Sequence, residues 1–197
     1  MPTIMTHSLV GLAGATVVRA GAACRLPGRF WLLAVVLPLL PDLDVLGHRH
    51  GVPHGILTGH RGASHSLMAA GLVGMLAGYA FFRRASRRWW AYGLFFSLIT
   101  ASHGLLDTIT NGGGDVALLW PFSDRRFFAA WRPLAVSPIG VTRFFTSPRA
   151  QGVLISEFIY VWVPAGWVMF LSFLWRQFRG GSADPQTPVG EPVQTGK

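Results

Sequence analysis

The chain has 197 residues, of which 51% are apolar and 13% charged, and its mean hydropathy is +0.41. Soluble domains carry about 25% charged residues, so the composition excludes an ordinary water-soluble globule and points to lipid as the main solvent. Seventeen Lys and Arg face eight Asp and Glu, for a net charge of +9, but the basic residues lie mostly between apolar runs, as flanking charges of membrane spans do, which argues against a nucleic-acid binder with a basic soluble face.

The first apolar stretch, Ser8 to Cys24, is rich in Gly and Ala and holds Arg19. The preceding residues lack the basic start of a signal peptide, so this stretch is expected to be retained. Cys24 is single, which leaves no intramolecular disulfide. The second stretch, Phe30 to Leu46, is interrupted by Pro38 and Pro41 and carries Asp42 and Asp44, so it is expected to enter the membrane without crossing straight. The third (Ser64 to Phe82), fourth (Trp89 to Leu106) and fifth (Val153 to Trp175) have the roughly 20-residue length of a spanning helix. Asn111 to Arg149 mixes three consecutive glycines, four prolines and several aromatic residues. It reads as a long loop on the membrane interface, where Trp rings favour the headgroup level. The Gly/Pro-rich polar tail, 180–197, is expected to be disordered. The expected fold is all-α and polytopic, with four to five membrane-embedded helices in one domain, 1–179.

If the segments alternate in direction, Arg25 and Arg29, the Arg83–Arg88 cluster, and Arg176 and Arg179 fall on one side. The positive-inside rule makes that side the cytoplasm. The opposite ends carry His7, Asp42, Asp44, His60, His65, His103, Asp107 and Glu157, which would then converge on the periplasmic face. Arg49, Arg61, Arg125, Arg126, Arg132, Arg143 and Arg149 also fall outside, though long loops weigh little in the rule.

Three motifs carry the chemistry. Pro41-Asp42-Leu43-Asp44 puts two carboxylates at the end of an apolar segment, where unpaired charge is costly and a cation with oxygen ligands would offset it; a solvated helix end is the plain alternative. His60-Arg61-Gly62-Ala63-Ser64-His65-Ser66 offers two imidazoles, common metal ligands, and an Arg that could fork onto a substrate phosphate. In the plain alternative His65 is a cap and His60 a surface residue. His103-Gly-Leu-Leu-Asp107 has the i, i+4 spacing that shares one helix face, giving either half of a helical metal site or a simple His–Asp hydrogen bond. His7 is weaker alone, since a His near a terminus is ordinarily exposed. His48, His50 and His54 read as solvated loop residues, and Asp115 and Asp124 as surface residues. Glu157, inside an apolar run, is either functional or paired with an Arg. A single catalytic zinc takes about three protein ligands, so seven candidates point to two ions, or to one ion with outer supporting groups.

Taken together, Thr6-His7, Pro41-Asp42-Leu43-Asp44, His60-Arg61-Gly62, Ser64-His65-Ser66 and His103 with Asp107 resemble the bacterial inner-membrane metal-dependent hydrolases described as LexA-regulated or LexA-binding. The resemblance covers most of residues 1–122. It extends distantly to the zinc-dependent phospholipase C and single-strand nuclease superfamily, which implies a zinc cluster and phosphoester cleavage. That superfamily's later His-x-x-x-Glu pair is absent from this sequence. The expected function is therefore a zinc-dependent hydrolase of a phosphoester, with membrane lipid as partner or substrate and Asp44, Arg61 and Glu157 as catalytic candidates. Intramembrane His and Asp also mark ion pathways, so a metal-ion transporter is the alternative, discriminated by whether polar residues continue past the midplane. A serine hydrolase using Ser64 or Ser102 lacks the G-x-S-x-G elbow. A regulatory membrane protein is the remaining class. Oligomeric state is left open.

Overall fold

The computed structural model describes residues 1–22, 25–45, 59–138 and 140–181. His48, His50 and His54, and all of the expected tail beyond Gly181, lie outside them. The described residues are helical, with no β-strand and two isolated β-bridges.

Helix α1 spans Ile4–Gly21 and α2 spans Gly28–Val36. The chain then tightens into a 3-10 helix, Leu37–Asp44. Pro38 and Pro41 lack the N–H that an α-helix would use, which accounts for the change in winding. A 3-10 turn, Ala63–His65, leads into α3, Leu67–Phe82. The third apolar stretch thus becomes helical three residues later than its apolar pattern begins. Ser66 caps α3 by accepting a 3.1 Å hydrogen bond from Ala69 N, the usual role of Ser at that position. Helix α4 spans Trp89–Thr108. After the loop come α5 (Val141–Thr146), α6 (Ala150–Glu157), a π-helical turn (Phe158–Trp162) and α7 (Val163–Gly181).

Helices α3 and α4 pack at backbone contact. A Cβ on Gly74 would lie 2.1 Å from Ser97 N, and one on Gly78 would lie 2.4 Å from Gly93 N. Small residues four apart are how membrane helices approach closely. Beside this seam, Phe30, Phe82 and Phe96 are buried with Ala15, Ala34, Leu37, Ala77 and Ile99. Phe82 stacks on Tyr92 at 4.2 Å, and Phe30 on Phe95 at 5.1 Å.

Many of the largest apolar side chains face outward. Leu72, Leu76, Phe81, Leu94 and Leu98 on α3 and α4, and Trp167, Leu171 and Phe173 on α7, are all exposed. Exposed apolar surface on this scale marks an interaction with lipid or another apolar partner. Ala150–Arg179 is long and apolar enough to cross a membrane by itself, with mean hydropathy 1.7. Leu67–Phe82 is apolar but shorter.

The aromatic loop is tied to the bundle. Leu67 N donates to Leu118 O at 2.9 Å, Ala117 N to Arg61 O at 3.2 Å, and Asn111 N to Leu134 O at 2.8 Å. The first two fix the His60–Ser66 turn against the loop, and the third closes the loop just beyond the end of α4. Phe122, Trp131 and Phe145 project outward, 85%, 64% and 74% exposed, and Asp115 and Asp124 are exposed as well.

Candidate metal centre

His7 lies in the first turn of α1, Asp42 and Asp44 at the end of the 3-10 helix, and His60 and His65 on the turn before α3. His103 and Asp107 lie on the last turns of α4. The fold brings all seven together, and His7, His60, His65, His103 and Asp107 are buried.

The buried face of α4 presents His103 and Asp107 together, as the i, i+4 spacing requires. Gly104 lets that turn reach the His65 backbone, since a Cβ there would lie 2.5 Å from His65 O. His103 Nδ1 is 2.7 Å from Pro38 O. A carbonyl can only accept, so Nδ1 carries the proton and Nε2 is left as a lone-pair donor, the usual way an outer partner sets the tautomer of a ligand histidine. His103 Nε2 faces His65 Nε2 at 3.1 Å and Asp42 Oδ1 at 3.3 Å. His65 Nε2 is 3.6 Å from Asp42 Oδ1 and 3.6 Å from Asp107 Oδ2. Donors bound tetrahedrally at about 2.0–2.1 Å stand about 3.3 Å apart, so these four atoms have the spacing of a small divalent ion's ligands.

Two carboxylates and an imidazole here have no hydrogen-bond partner among the described residues. They are Asp42 Oδ1 and Oδ2, Asp107 Oδ1 and Oδ2, and His7 Nδ1 and Nε2. Buried charge without hydrogen bonds costs several kcal/mol per ion, and buried polar atoms are ordinarily paired. A cation satisfies them at once. The donors also sort into two groups, His7 with His103 and Asp107, and Asp42 with His60 and His65, each with its atoms within 4.8 Å of one another. Both the donor types and the two groups suit one or two zinc ions. The His7 ring stacks on His103 at 3.8 Å.

Asp44 plays a different part. Its Oδ1 is 2.7 Å from His60 Nδ1, and its Oδ2 accepts from Ser64 Oγ at 2.6 Å and from Arg61 N at 3.2 Å, with His65 Nδ1 at 3.1 Å. Burial alone would raise this carboxyl, but the bonds from His60, His65 and Ser64 hold it well below the usual carboxylate range. For His65, burial opposes the charge, yet Asp42 and Asp44 outweigh it and raise the imidazole to about 9. Both residues sit in 3-10 segments outside the long helices; the Asp44 shift records the donors turned toward it, and the His65 shift records the carboxylates around that ring.

Arg61 is 1% exposed and adopts a left-handed backbone, φ 63°, a conformation that costs a non-glycine residue about 1 kcal/mol or more. Its Nε is 3.0 Å from Asp107 Oδ2, Nη1 donates to Gly112 O and Gly114 O at 3.1 and 2.6 Å, and Nη2 donates to Thr110 Oγ1 at 3.0 Å. Its fork is therefore directed at the protein itself. Glu157 is also fully buried and accepts from Thr3 N, Thr3 Oγ1 (2.6 Å) and Thr6 Oγ1 (2.7 Å). Trp162 Nε1, from the π turn, donates to Thr6 Oγ1 at 2.7 Å. Glu157 thus ties α6 to the residues beside His7 rather than pairing with an Arg in any contact seen here.

The Pro38 carbonyl, Thr3, Gly104 and Trp162 support the site without being singled out by the motifs, and Thr6 is marked only as the neighbour of His7. Pro38 is legible as a helix breaker, but nothing local marks its carbonyl as the partner of His103. A cavity of about 390 Å³ adjoins the cluster, with His60, Arg61, Gly113, Gly114, Val136 and Ser137 in its wall.

A family model described as YdjM inner membrane protein matches residues 1–180. The inner membrane protein YbcI of Escherichia coli (strain K12) is 39% identical over 183 residues, covering 91% of this chain and 100% of that protein. No solved structure matches.

Proposed function

The chain belongs to the YdjM inner membrane protein family, and from that premise we propose that it is a membrane-embedded, metal-dependent hydrolase acting on a phosphoester, with lipid as the carrier of the substrate. The observation that carries the reading is the set of buried atoms of His7, Asp42 and Asp107 without a hydrogen-bond partner among the described residues, beside the facing Nε2 atoms of His65 and His103.

In this reading His65, His103, Asp42 and Asp107 would hold zinc, with His7 and His60 completing a second ion's set. A zinc ion held there would supply the acidity that makes a water nucleophilic near neutral pH. The chain's own groups do the rest. Pro38 O and Asp44 hold the His103 and His65 rings with Nε2 inward. Arg61 orients Asp107 through its Nε. Asp44, beside these ligands, would take the proton of the attacking water and return it to the leaving alkoxide oxygen as the P–O bond breaks. Glu157 positions the start of α1, and with it His7.

The membrane arrangement belongs to the same reading. Helices α1, α3 and α4 and the continuous α6–α7 helix cross the bilayer, α2 with its 3-10 extension enters beside them, and the site faces the periplasm. The outward Leu and Phe side chains of α3 and α4 support this, as does the Arg83–Arg88 turn at the opposite end. A transporter is less well supported, because the Phe30, Phe82 and Phe96 cluster lies between the site and that end and offers an ion no polar path.

Zinc-loaded protein in detergent, assayed on phosphomonoester and phosphodiester lipids, tests the activity. Turnover that falls at least 100-fold in Asp42→Asn and Asp44→Asn supports the reading. Absence of turnover by fully loaded protein on every phosphoester, together with zinc uptake into proteoliposomes, would overturn it in favour of transport.

A further inference from the structure

The cavity beside His60 and Arg61 does not end there. Val136 and Ser137 also line a second cavity of about 380 Å³, whose wall continues through Pro138 to Arg143, Ser147 and Arg149. The two spaces share a wall, so a ligand reaching the His/Asp cluster has a second space within reach along the same edge of the loop.

That second space is cationic. Arg143 and Arg149 are both exposed on its wall, and among the described residues neither guanidinium has an acid within salt-bridge distance or a hydrogen-bond acceptor. Two like charges at one cavity repel unless an anion joins them, and the guanidinium fork matches phosphate oxygens in pairs. Ser147 adds a hydroxyl donor. By contrast Arg61, nearer the cluster, spends its fork on Asp107, Gly112, Gly114 and Thr110, so recognition of a substrate anion falls to other residues. Next to Arg143, Phe145 is 74% exposed, which suits a segment resting at the headgroup level.

We propose that Arg143, Arg149 and Ser147 form an anion subsite that takes a phosphoryl group of the substrate at a point removed from the bond to be cleaved. This deepens the hydrolase reading by naming the chemistry of its substrate, a phosphorylated compound with a second anionic group, either on a lipid headgroup or on a soluble phosphate.

Binding is measured on full-length protein in dodecyl maltoside treated with chelator, so that neither metal nor turnover enters. The probes are dioleoyl phosphatidate, dioleoyl phosphatidylcholine and inorganic phosphate. Wild type is expected to prefer phosphatidate over phosphatidylcholine by at least ten-fold. R143A/R149A loses that preference, R143K/R149K recovers part of it, and R84A/R87A at the other end of α3 and α4 retains it. Competition by inorganic phosphate at comparable affinity identifies a soluble phosphate as the source, and phosphatidate binding that phosphate does not displace identifies a lipid headgroup. Equal phosphatidate affinity in wild type and R143A/R149A, or an equal loss in R84A/R87A, would overturn the subsite. Loss of the phosphatidate preference in R143A/R149A, combined with no hydrolysis by zinc-loaded wild type, would leave the subsite standing and remove only the hydrolase reading.

Discussion

At the scale of single residues, the site is a collection of groups that each need something from the others. Asp107 is fully buried and meets the Arg61 guanidinium at 3.0 Å. Replacing Arg61 by Ala removes that partner and the support of the Gly112 and Gly114 carbonyls. Breaking one side of a buried pair costs about 3–5 kcal/mol, so R61A is expected to melt well below wild type, as circular dichroism in detergent would show; an unchanged melt would mean that the pair is not formed. Glu157→Gln loses the charge from a carboxylate that accepts three bonds. Bonds to a charged group are each worth about 1.5–3 kcal/mol, and the variant should be destabilised by about 2 kcal/mol while zinc content stays within two-fold. Zinc lost as completely as in His103→Ala would instead place Glu157 among the ligands. His103 with Asp107 was legible because helical spacing alone puts them on one face. His7 was legible only from the shared helix ends and the resemblance, because its burial depends on stacking against His103, 96 positions later in the chain, and no local pattern reports such a contact. The same holds for Pro38 O, a backbone acceptor whose partner is 65 residues away.

At the scale of elements, the apolar runs announced the helices, and proline chemistry announced the break in the second. The pairing of α3 with α4 was less visible. It rests on Gly74, Gly78, Gly93 and Ser97, small residues inside runs whose bulky neighbours dominate any hydropathy reading. Overpacking a tight contact costs about 1–3 kcal/mol. Gly78→Val, whose Cβ would meet Gly93 N at 2.4 Å, is therefore expected to lower the thermal midpoint clearly. Gly71→Ala, with nothing within 4 Å of the added Cβ, should leave it unchanged. Equal melting of the two variants would mean that the helices are not in backbone contact. The seam also bears on the site, since Gly104 continues the close approach at the end of α4 that holds His65.

At the scale of the whole molecule, many large apolar side chains face outward around a buried core of Phe30, Phe82, Phe96 and small residues, more than a water-soluble surface carries. Composition made the membrane environment legible from the start, and membership of an inner membrane family agrees with it. Topology across the bilayer follows from where the charges end up. With Cys24 replaced by Ala, Ser123→Cys in the loop is expected to react with a membrane-impermeant thiol reagent in intact cells, and Ser86→Cys in the Arg-rich turn only after permeabilisation. The reverse pattern would put the site in the cytoplasm. Everything proposed about chemistry, however, depends on whether the buried donors hold an ion. The direct measurement is the metal content of purified wild type by mass spectrometry, beside Asp42→Asn and His103→Ala. Wild type should carry one to two equivalents of a divalent transition metal, zinc foremost, and each variant less than half of that at unchanged helical content. Wild type without stoichiometric metal, or variants that retain all of it, would contradict the assignment of these residues as a metal centre.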